Sequence, residues 1–238
     1  SSWYYQRYVN PNSSNMIDNP AIQIDTYVGG IEHATMHLIY TRFFHKMLRD
    51  FNIVSTDEPI KKLITQGMVC KKYEKPDGTI ASAKMSKSLG NVVAPNEYID
   101  KYGADAIQMF IIFAAPPTDN FDFEDAGIVG TFRFLDDIYR YFFETNNSTK
   151  NMDEKETYKI IQKMTKYIDQ EFEGRGNLNT IIPQLMMAFK AIKKTDFKDV
   201  QLKTKIEEEF ISNLSIFAPH LSEYIKDFKY NNRPSLKI

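Results

Sequence analysis

Two adjacent glycines, Gly29 and Gly30, stand between a strand-like segment and a long amphipathic segment, and this junction constrains the fold most. Residues 24–28 have the composition of a β-strand, whereas the apolar residues from about Glu32 to Phe51 recur at helical spacing. Paired glycines let a ligand approach the main chain where a Cβ would intrude. Ligands of open parallel sheets bind at such carboxyl ends of strands. The pattern predicts a β-strand, a turn and a helix, although a glycine pair by itself is usually only an ordinary turn.

The chain changes character near residue 123. Before it, the predicted elements are mixed: a second strand at 62–66, a tight turn at 75–78, and helices at about 95–101 and 104–114. After it, long amphipathic patterns predict helices at about 124–146, 153–172, 177–195 and 199–228, with the aromatic stretch 139–143 in their core. Helices with short connections form bundles. We therefore predict two domains, 1–123 and 124–238.

The composition is that of an ordinary globular protein. Of the 238 residues, 42% are hydrophobic and 26% are charged, and the net charge is −1. The single cysteine excludes an internal disulfide framework and fits a reducing compartment. No run of eighteen apolar residues is present, so no membrane span is expected. The charge balance neither requires nor forbids a nucleic-acid partner.

The string KMSKSLGN, which starts at Lys84, contains two ammonium groups three positions apart on a small-residue loop. Ser86 and Ser88 supply hydroxyls beside Lys84 and Lys87, and Gly90 allows the segment to swing. Such a loop can fold over a polyphosphate, with lysines meeting phosphate oxygens. Two lysines at this spacing also occur on plain solvated surfaces, but the complete string is far more specific.

The helix after the glycines carries Glu32, His33 and His37. A carboxylate at this place can accept hydrogen bonds from ribose hydroxyls, and histidines four apart project from one helical face. A zinc protease helix would carry its glutamate directly after the first histidine. Here that position is alanine, and the single cysteine provides no thiolate cluster. We therefore predict no metal site, and a purely structural role for the histidines remains an alternative.

Several segments resemble one protein family in the family's own order. The loop KMSKS matches the class I aminoacyl-tRNA synthetases. Five segments resemble the leucyl-tRNA synthetases. They are SSWYYQRY at the start, YVGGIEHATMHLIYTRFF from Tyr27, QGMV from Gln66, KMSKSLGN from Lys84 and YGADAIQMFIIFAAPP from Tyr102. The resemblance covers roughly the first half of the chain, and Phe217-Ala218-Pro219-His220 resembles the end of the family's anticodon-binding bundle.

This resemblance implies a fold of class α/β, the second half of a Rossmann-like catalytic domain, followed by an all-α helical bundle that binds the tRNA anticodon region. It implies that Lys84 and Lys87 are catalytic and contact the triphosphate of ATP. It further implies that ATP is bound by Gly29, Gly30, Glu32, Gly67, Met68, Val69, Ser86 and Ser88, and that leucine is bound by Tyr4, Tyr27, His33 and His37. Main-chain groups of residues 67–69 would lie against the adenine.

The implied reaction is leucine–tRNA ligation with ATP and Mg²⁺. The implied partners are leucine, ATP and tRNA(Leu), for a monomeric parent enzyme in the cytoplasm without a membrane partner. The sequence shows no dedicated magnesium site. The alternatives are another class I synthetase, for isoleucine, valine or methionine, and a non-catalytic module that binds tRNA or protein on a synthetase scaffold.

The sequence departs from the family pattern in one motif. None of the four histidines forms the family's His-x-Gly-His, and neither the first half of the nucleotide-binding fold nor the editing insertion precedes the resembling segments. The chain also starts without methionine. We therefore expect a segment of a longer protein that cannot aminoacylate by itself.

Overall fold

The chain divides into two units, each with its own set of buried residues. The computed structural model describes residues 6–8, 10–21, 23–144, 150–174 and 176–229. One unit comprises Ser1–Val69 with Pro117–Asn120, and the other comprises Cys70–Pro116 with Phe121–Ile238. These limits differ from the sequence boundary at residue 123, and the assignment of 1–123 and 124–238 to a catalytic and a tRNA-binding domain stays a prediction.

The first unit contains two parallel strands joined through a helix. Strand β1 (Ile24–Gly30) pairs in parallel with strand β2 (Ile60–Gln66), and helix α1 (His37–Asp50) lies between them in sequence. A parallel pair requires a crossover connection, which α1 provides. The register places Gly29 opposite Thr65 and Gly30 opposite Gln66, so the two strands end side by side. Both predicted strands are confirmed.

The predicted helix from Glu32 to Phe51 is wrong in its first turn. Residues Ile31–His33 form a 3-10 turn, and α1 begins only at His37. Met36 interrupts the helical path, because its φ of −128° and ψ of −77° lie outside the helical region. His33 and His37 therefore do not share one continuous helix. The apolar periodicity still predicted the buried side of α1, where Leu38 and Leu48 are buried.

The second unit contains a β-hairpin that carries the lysine loop. Strand β3 (Val69–Glu74) and strand β4 (Ile80–Lys84) pair antiparallel, and β5 (Phe121–Asp122) pairs on the other side of β3. The predicted turn at 75–78 joins β3 to β4, with Gly78 at a φ of 80°. These strands were not predicted from the sequence, because their lysines, Lys71, Lys72 and Lys84, hide the alternation of a half-buried strand.

Helices form the rest of the second unit. They are α2 (Pro95–Tyr102), α3 (Ala104–Ala114), α4 (Asp125–Phe143), α5 (Glu154–Glu173), α6 (Ile181–Lys194), α7 (Val200–Leu214) and α8 (Pro219–Lys229). A 3-10 turn, Leu178–Thr180, precedes α6. The predicted order of mixed α/β structure followed by helices is confirmed.

The single predicted helix at 199–228 is wrong, because the chain forms two helices there. Helix α7 ends at Leu214, and the Ser215 hydroxyl donates to the Ser212 carbonyl oxygen at 2.7 Å. Pro219 is the first residue of α8, where its missing N–H costs no intrahelical hydrogen bond. The apolar spacing continued across the break and concealed it.

The core of the helical part is aliphatic and aromatic. Its fully buried side chains include Ile161, Leu185, Phe189, Phe210 and Phe217. The aromatic stretch 139–143 joins this core as predicted: Phe142 is buried, and Tyr141 and Phe143 pack against the cluster. Within the described ranges, no helix is long and apolar enough to cross a membrane.

Asp105, which is buried near the start of α3, caps the first turn of α8. Its carboxylate accepts hydrogen bonds from the His220 main-chain N at 3.3 Å, from His220 Nδ1 at 2.7 Å and from the Leu221 main-chain N at 2.8 Å. Helix N-termini leave such N–H groups without intrahelical partners. The carboxylate also suits the positive end of the helix dipole.

Replacing Asp105 by alanine is expected to loosen α8. Loss of a capping side chain costs about 1–2 kcal/mol, so amide hydrogens of α8 should exchange about 5- to 30-fold faster. Mass spectrometry of hydrogen exchange in the full-length protein measures this. Asp136→Ala is the matched control, because Asp136 makes an exposed ion pair with Arg140 and such pairs contribute little. Equal exchange rates in both variants would show that the Asp105 cap does not hold α8.

Candidate functional site

A cavity of about 1040 Å³ runs along the whole length of β1 in the first unit. Residues of β2, of the 3-10 turn and of the start of α1 also line it. The lining residues are Tyr8, Gln23, Ile24, Asp25, Thr26, Tyr27, Val28, Gly29, Gly30, His33, His37, Leu38, Leu63, Thr65 and Gln66. The cavity includes the carboxyl ends of both parallel strands, where open sheets of this kind bind ligands.

Three predicted site residues meet in this cavity as a polar aromatic cluster. The Tyr27 hydroxyl lies 2.7 Å from His37 Nε2, and the two rings stack with their centroids 5.9 Å apart. The His33 ring stands edge-on to the His37 ring at a centroid distance of 6.0 Å. The two histidine rings therefore adjoin, but the prediction that they project from one helical face is wrong, because they belong to different helical segments.

The environment of His37 favours its neutral form. Burial is the main cause that lowers the pKa of this imidazole below its usual value, since the charged form loses solvation. At neutral pH the ring is therefore uncharged, and its unprotonated nitrogen can accept the Tyr27 hydroxyl proton in a hydrogen bond. Tyr27 and His37 thus offer an aromatic wall with hydrogen-bonding groups.

The two glycines at the end of β1 have different surroundings. A Cβ on Gly29 would meet nothing within 4 Å. A Cβ on Gly30 would lie 2.5 Å from Glu32 Oε2, so the Glu32 carboxylate folds back over this residue. The carboxylate therefore lies next to the end of β1, although Glu32 does not line the cavity.

Gly67 lies at a close approach between two main-chain segments of the first unit. A Cβ on this residue would lie 2.0 Å from the Asp119 carbonyl oxygen, which is main chain and cannot rotate away. The Gly67 N–H donates to the Pro117 carbonyl oxygen at 2.9 Å, and the Met68 N–H donates to Asn120 Oδ1 at 2.6 Å. Residues 66–69 are thereby fixed against residues 117–120. This packing gives Gly67 a structural role besides its predicted contact with adenine.

The predicted lysine loop is a short turn that projects from the end of β4. Residues Lys87–Leu89 form a 3-10 turn, and Ser86 Oγ caps it by accepting from the Leu89 N–H at 3.3 Å. The Ser86 and Ser88 hydroxyls lie 3.0 Å apart. Gly90 ends the turn in the left-handed region, with a φ of 66°, where a side chain would be strained.

The two predicted catalytic lysines lie at the two ends of this segment. Lys84 is the last residue of β4, and Lys87 is the first residue of the 3-10 turn. Both side chains are exposed. In the described ranges, Lys87 Nζ takes part in no hydrogen bond or ion pair, so its charge is available to an anionic ligand.

The structure groups most of the predicted site residues in two places. Tyr27, Gly29, Gly30, His33 and His37 line the cavity, whereas Lys84, Ser86, Lys87 and Ser88 share the lysine loop. Met68 and Val69 follow Gly67 and do not line the cavity. Tyr4 lies outside the described residues.

Sequence reasoning missed Thr65, Gln66 and Asn91. The first two line the cavity at the end of β2. Because β2 was predicted as a strand ending at Gln66, the neighbouring ends of two parallel strands were a signal that could have found them. Asn91 is buried and hydrogen-bonded beneath the lysine loop. A polar residue after a glycine gives no sequence signal of burial.

The described residues bring no three His, Cys, Asp or Glu side chains together as a metal site would need. Of the histidines outside the cavity, His45 is buried and bonds to Thr56, and His220 bonds to Asp105. These contacts are structural.

Comparison with known proteins connects the two groups of residues to one family. Residues 25–124 match the family model described as tRNA synthetases class I (I, L, M and V). The leucine–tRNA ligases of Petrotoga mobilis and Francisella philomiragia are each 39% identical to the chain over 94% of its length. The chain spans 28% of the length of these curated relatives.

Solved structures agree with this similarity. The chain is similar to the LeuRS in the ternary complex of Agrobacterium radiobacter K84 agnB2 LeuRS-tRNA-LeuAMS, with a TM-score of 0.79 and 30% identity over 98% of this chain and 31% of that chain. A Mycobacterium tuberculosis methionyl-tRNA synthetase bound by methionyl-adenylate shares the fold, with a TM-score of 0.54 and 14% identity over 85% of this chain and 43% of that chain. Residues 25–124 therefore carry the family model of the class I tRNA synthetases, and the chain is similar over nearly its whole length to a part of the leucine–tRNA ligases.

Proposed function

We propose that the protein containing these residues is a leucine–tRNA ligase, which activates leucine with ATP and transfers it to tRNA(Leu). The observation that carries the proposal is 39% identity to leucine–tRNA ligases over 94% of the chain, including the lysine loop. The similar Agrobacterium protein was solved with tRNA and LeuAMS, which supports tRNA as a partner here. A monomeric enzyme in the cytoplasm remains part of the same proposal.

The proposed activation step joins leucine to AMP. A carboxylate oxygen of leucine attacks the α-phosphorus of ATP, an oxygen–phosphorus bond forms, and the bond to the β-phosphate breaks. Pyrophosphate leaves with the electron pair of that bond. A ribose hydroxyl of the tRNA then attacks the leucyl carbonyl, and AMP leaves. No covalent enzyme intermediate is needed, so catalysis consists of positioning and charge stabilisation.

The proposed roles follow from the chemistry of each group. Lys84 and Lys87 stabilise the negative charge that grows on pyrophosphate, and the Ser86 and Ser88 hydroxyls donate to phosphate oxygens. Other residues would bind the nucleoside part of ATP. Glu32 would bind the ribose, and Gly29 and Gly30 would contact the adenosine. The main chain of Gly67, Met68 and Val69 would lie against the adenine. Mg²⁺ would arrive on the phosphates of ATP, which usually supply part of its coordination in nucleotide sites.

The proposed leucine site is the polar aromatic cluster of the cavity, with Tyr27, His33 and His37, together with Tyr4. The rings of Tyr27, His33 and His37 provide apolar surface for a branched side chain. The neutral His37 suits this role, because a charged ring would disfavour an aliphatic ligand.

Amino-acid-dependent exchange between ATP and pyrophosphate tests the proposal in the full-length protein. Leucine should support exchange, and valine, which is one methylene smaller, should do so with a kcat/KM lower by about 10- to 200-fold. Charging of tRNA(Leu) should follow when tRNA is added. Better exchange with isoleucine, valine or methionine would identify another synthetase. Absence of exchange with all four would favour the non-catalytic alternative.

A further inference from the structure

Asn91, which directly follows the lysine loop, is buried although the loop itself is exposed. Its relative exposure is 3%, whereas residues 87–90 are all exposed. A buried amide without partners would be destabilising, so the burial of Asn91 depends on the hydrogen bonds of its amide.

The Asn91 amide joins the loop to both strands of the hairpin. Its Oδ1 accepts from the Ser86 N–H at 2.8 Å. Its Nδ2 donates to the carbonyl oxygens of Lys71 at 3.2 Å and Ala83 at 3.1 Å, with the Lys84 carbonyl oxygen at 3.4 Å. The N–H needs an acceptor and the carbonyls need donors, so only a side chain that has both can fill this place.

These bonds hold the two ends of the lysine loop together. Ser86 begins the turn through its cap to Leu89, and Gly90 ends it in a left-handed conformation. Because the Asn91 side chain binds the Ser86 main chain, the residues between them form a closed turn whose base is fixed to β3 and β4. Lys87, the first residue of the 3-10 turn, is carried on this base.

We infer that Asn91 is a positioning residue that sets the place of Lys87 for amino-acid activation. The inference rests on the function proposed above and adds a residue that does not touch ATP itself. A displacement of about 1 Å in a catalytic group can cost about 100-fold in rate. A turn with a loosened base would allow Lys87 such displacements while leaving the leucine cavity unchanged.

Asn91→Asp tests the two-sided hydrogen bonding with little change of shape. The new carboxylate would face carbonyl oxygens in a buried place, which raises its pKa. Above that pKa the charged group repels the carbonyl oxygens. Below it, the protonated group can donate to one carbonyl oxygen and accept from the Ser86 N–H. The measured quantity is the kcat of Asn91→Asp for leucine-dependent pyrophosphate exchange, divided by the kcat of the unmodified protein at the same pH. This ratio should rise as the pH falls from about 8 to about 6. A ratio that does not change with pH would contradict the inference.

A double-mutant cycle tests whether Asn91 acts through Lys87. Asn91→Ala should lower kcat for exchange about 10- to 100-fold, with the KM for leucine changed less than about threefold. In a protein that already carries Lys87→Ala, the same change should cost less than about twofold. If the fold-loss of kcat in the double variant equalled the product of the two single fold-losses, Asn91 would act independently of Lys87 and the inference would be overturned.

Asn213→Ala is the matched control for loss of a buried amide. Asn213 in α7 donates to Thr165 Oγ1 at 3.0 Å and to the Glu209 carbonyl oxygen at 2.8 Å. This variant should keep its exchange activity within about twofold when tRNA is absent. If Asn213→Ala lost as much activity as Asn91→Ala, the effect of Asn91 would be general destabilisation and the inference would fail.

Hydrogen exchange provides a readout that does not depend on catalysis. In Asn91→Ala, the amide hydrogens of Ser86 and Leu89 should exchange at least about tenfold faster, while those of β1 stay unchanged. Unchanged protection at Ser86 would overturn the inference. If the unmodified protein shows no leucine-dependent exchange, the proposed function fails as well. If that exchange is present and the Asn91 variants keep their kcat, only the role of Asn91 is refuted.

Discussion

Replacing Lys87 by alanine in the full-length protein should lower the kcat of leucine-dependent pyrophosphate exchange by about 100- to 1000-fold, the usual cost of removing one stabilising group from a transition state. The reason is the position of its ammonium group, which is exposed on a capped turn and is not engaged by a described residue. The charge is then free to meet the departing pyrophosphate. The KM for leucine should change little, because the proposed leucine contacts lie elsewhere.

Lys75→Ala provides the control for Lys87→Ala. Lys75 is an exposed lysine at the turn of the same hairpin, so its loss removes an equal charge at a place without a proposed role. Exchange by this variant should stay close to that of the unmodified protein. Similar losses in both variants, or a loss of leucine binding as large as the loss of kcat in Lys87→Ala, would refute the catalytic role of Lys87.

Replacing Gly67 by alanine should destabilise the first unit by about 1–3 kcal/mol, as overpacking against fixed atoms does. The added Cβ would lie 2.0 Å from the Asp119 carbonyl oxygen and 2.7 Å from the Asn120 main-chain N. Relief requires residues 117–120 to move, and the hydrogen bond from the Gly67 N–H to Pro117 then lengthens. Amide hydrogens of residues 66–69 should exchange about 5- to 100-fold faster.

Gly29→Ala is the matched control for stability, because a Cβ on Gly29 meets nothing within 4 Å. In Gly29→Ala, the amide hydrogens of residues 60–69 should exchange at rates close to those of the unmodified protein. If Gly67→Ala left exchange unchanged, the close approach to Asp119 would not be a constraint on the fold. If both variants accelerated exchange equally, the effect would not be specific to this contact.

Sequence patterns predicted the regular elements where one physical signal dominated. The helices near 95–101 and 104–114 follow from their apolar spacing and a proline at the start, and the structure has them at Pro95–Tyr102 and Ala104–Ala114. Errors arose where two signals conflicted. The helical spacing of 199–228 continued through Ser215–Ala218, and the lysines of β3 and β4 masked a hairpin.

The sequence by itself determined which groups the proposed function can use, because the charged loop at residues 84–88 and the glycine pair at residues 29–30 are short local strings. It also determined the α/β class and the helical second half, which depend on local periodicity. Only the tertiary structure decided which residues meet. The contact between Tyr27 and His37, the place of Thr65 beside Gly29 and the burial of Asn91 all depend on strand pairing or on hydrogen bonds to distant main chain. Such contacts join residues of different elements, and no periodic pattern records them.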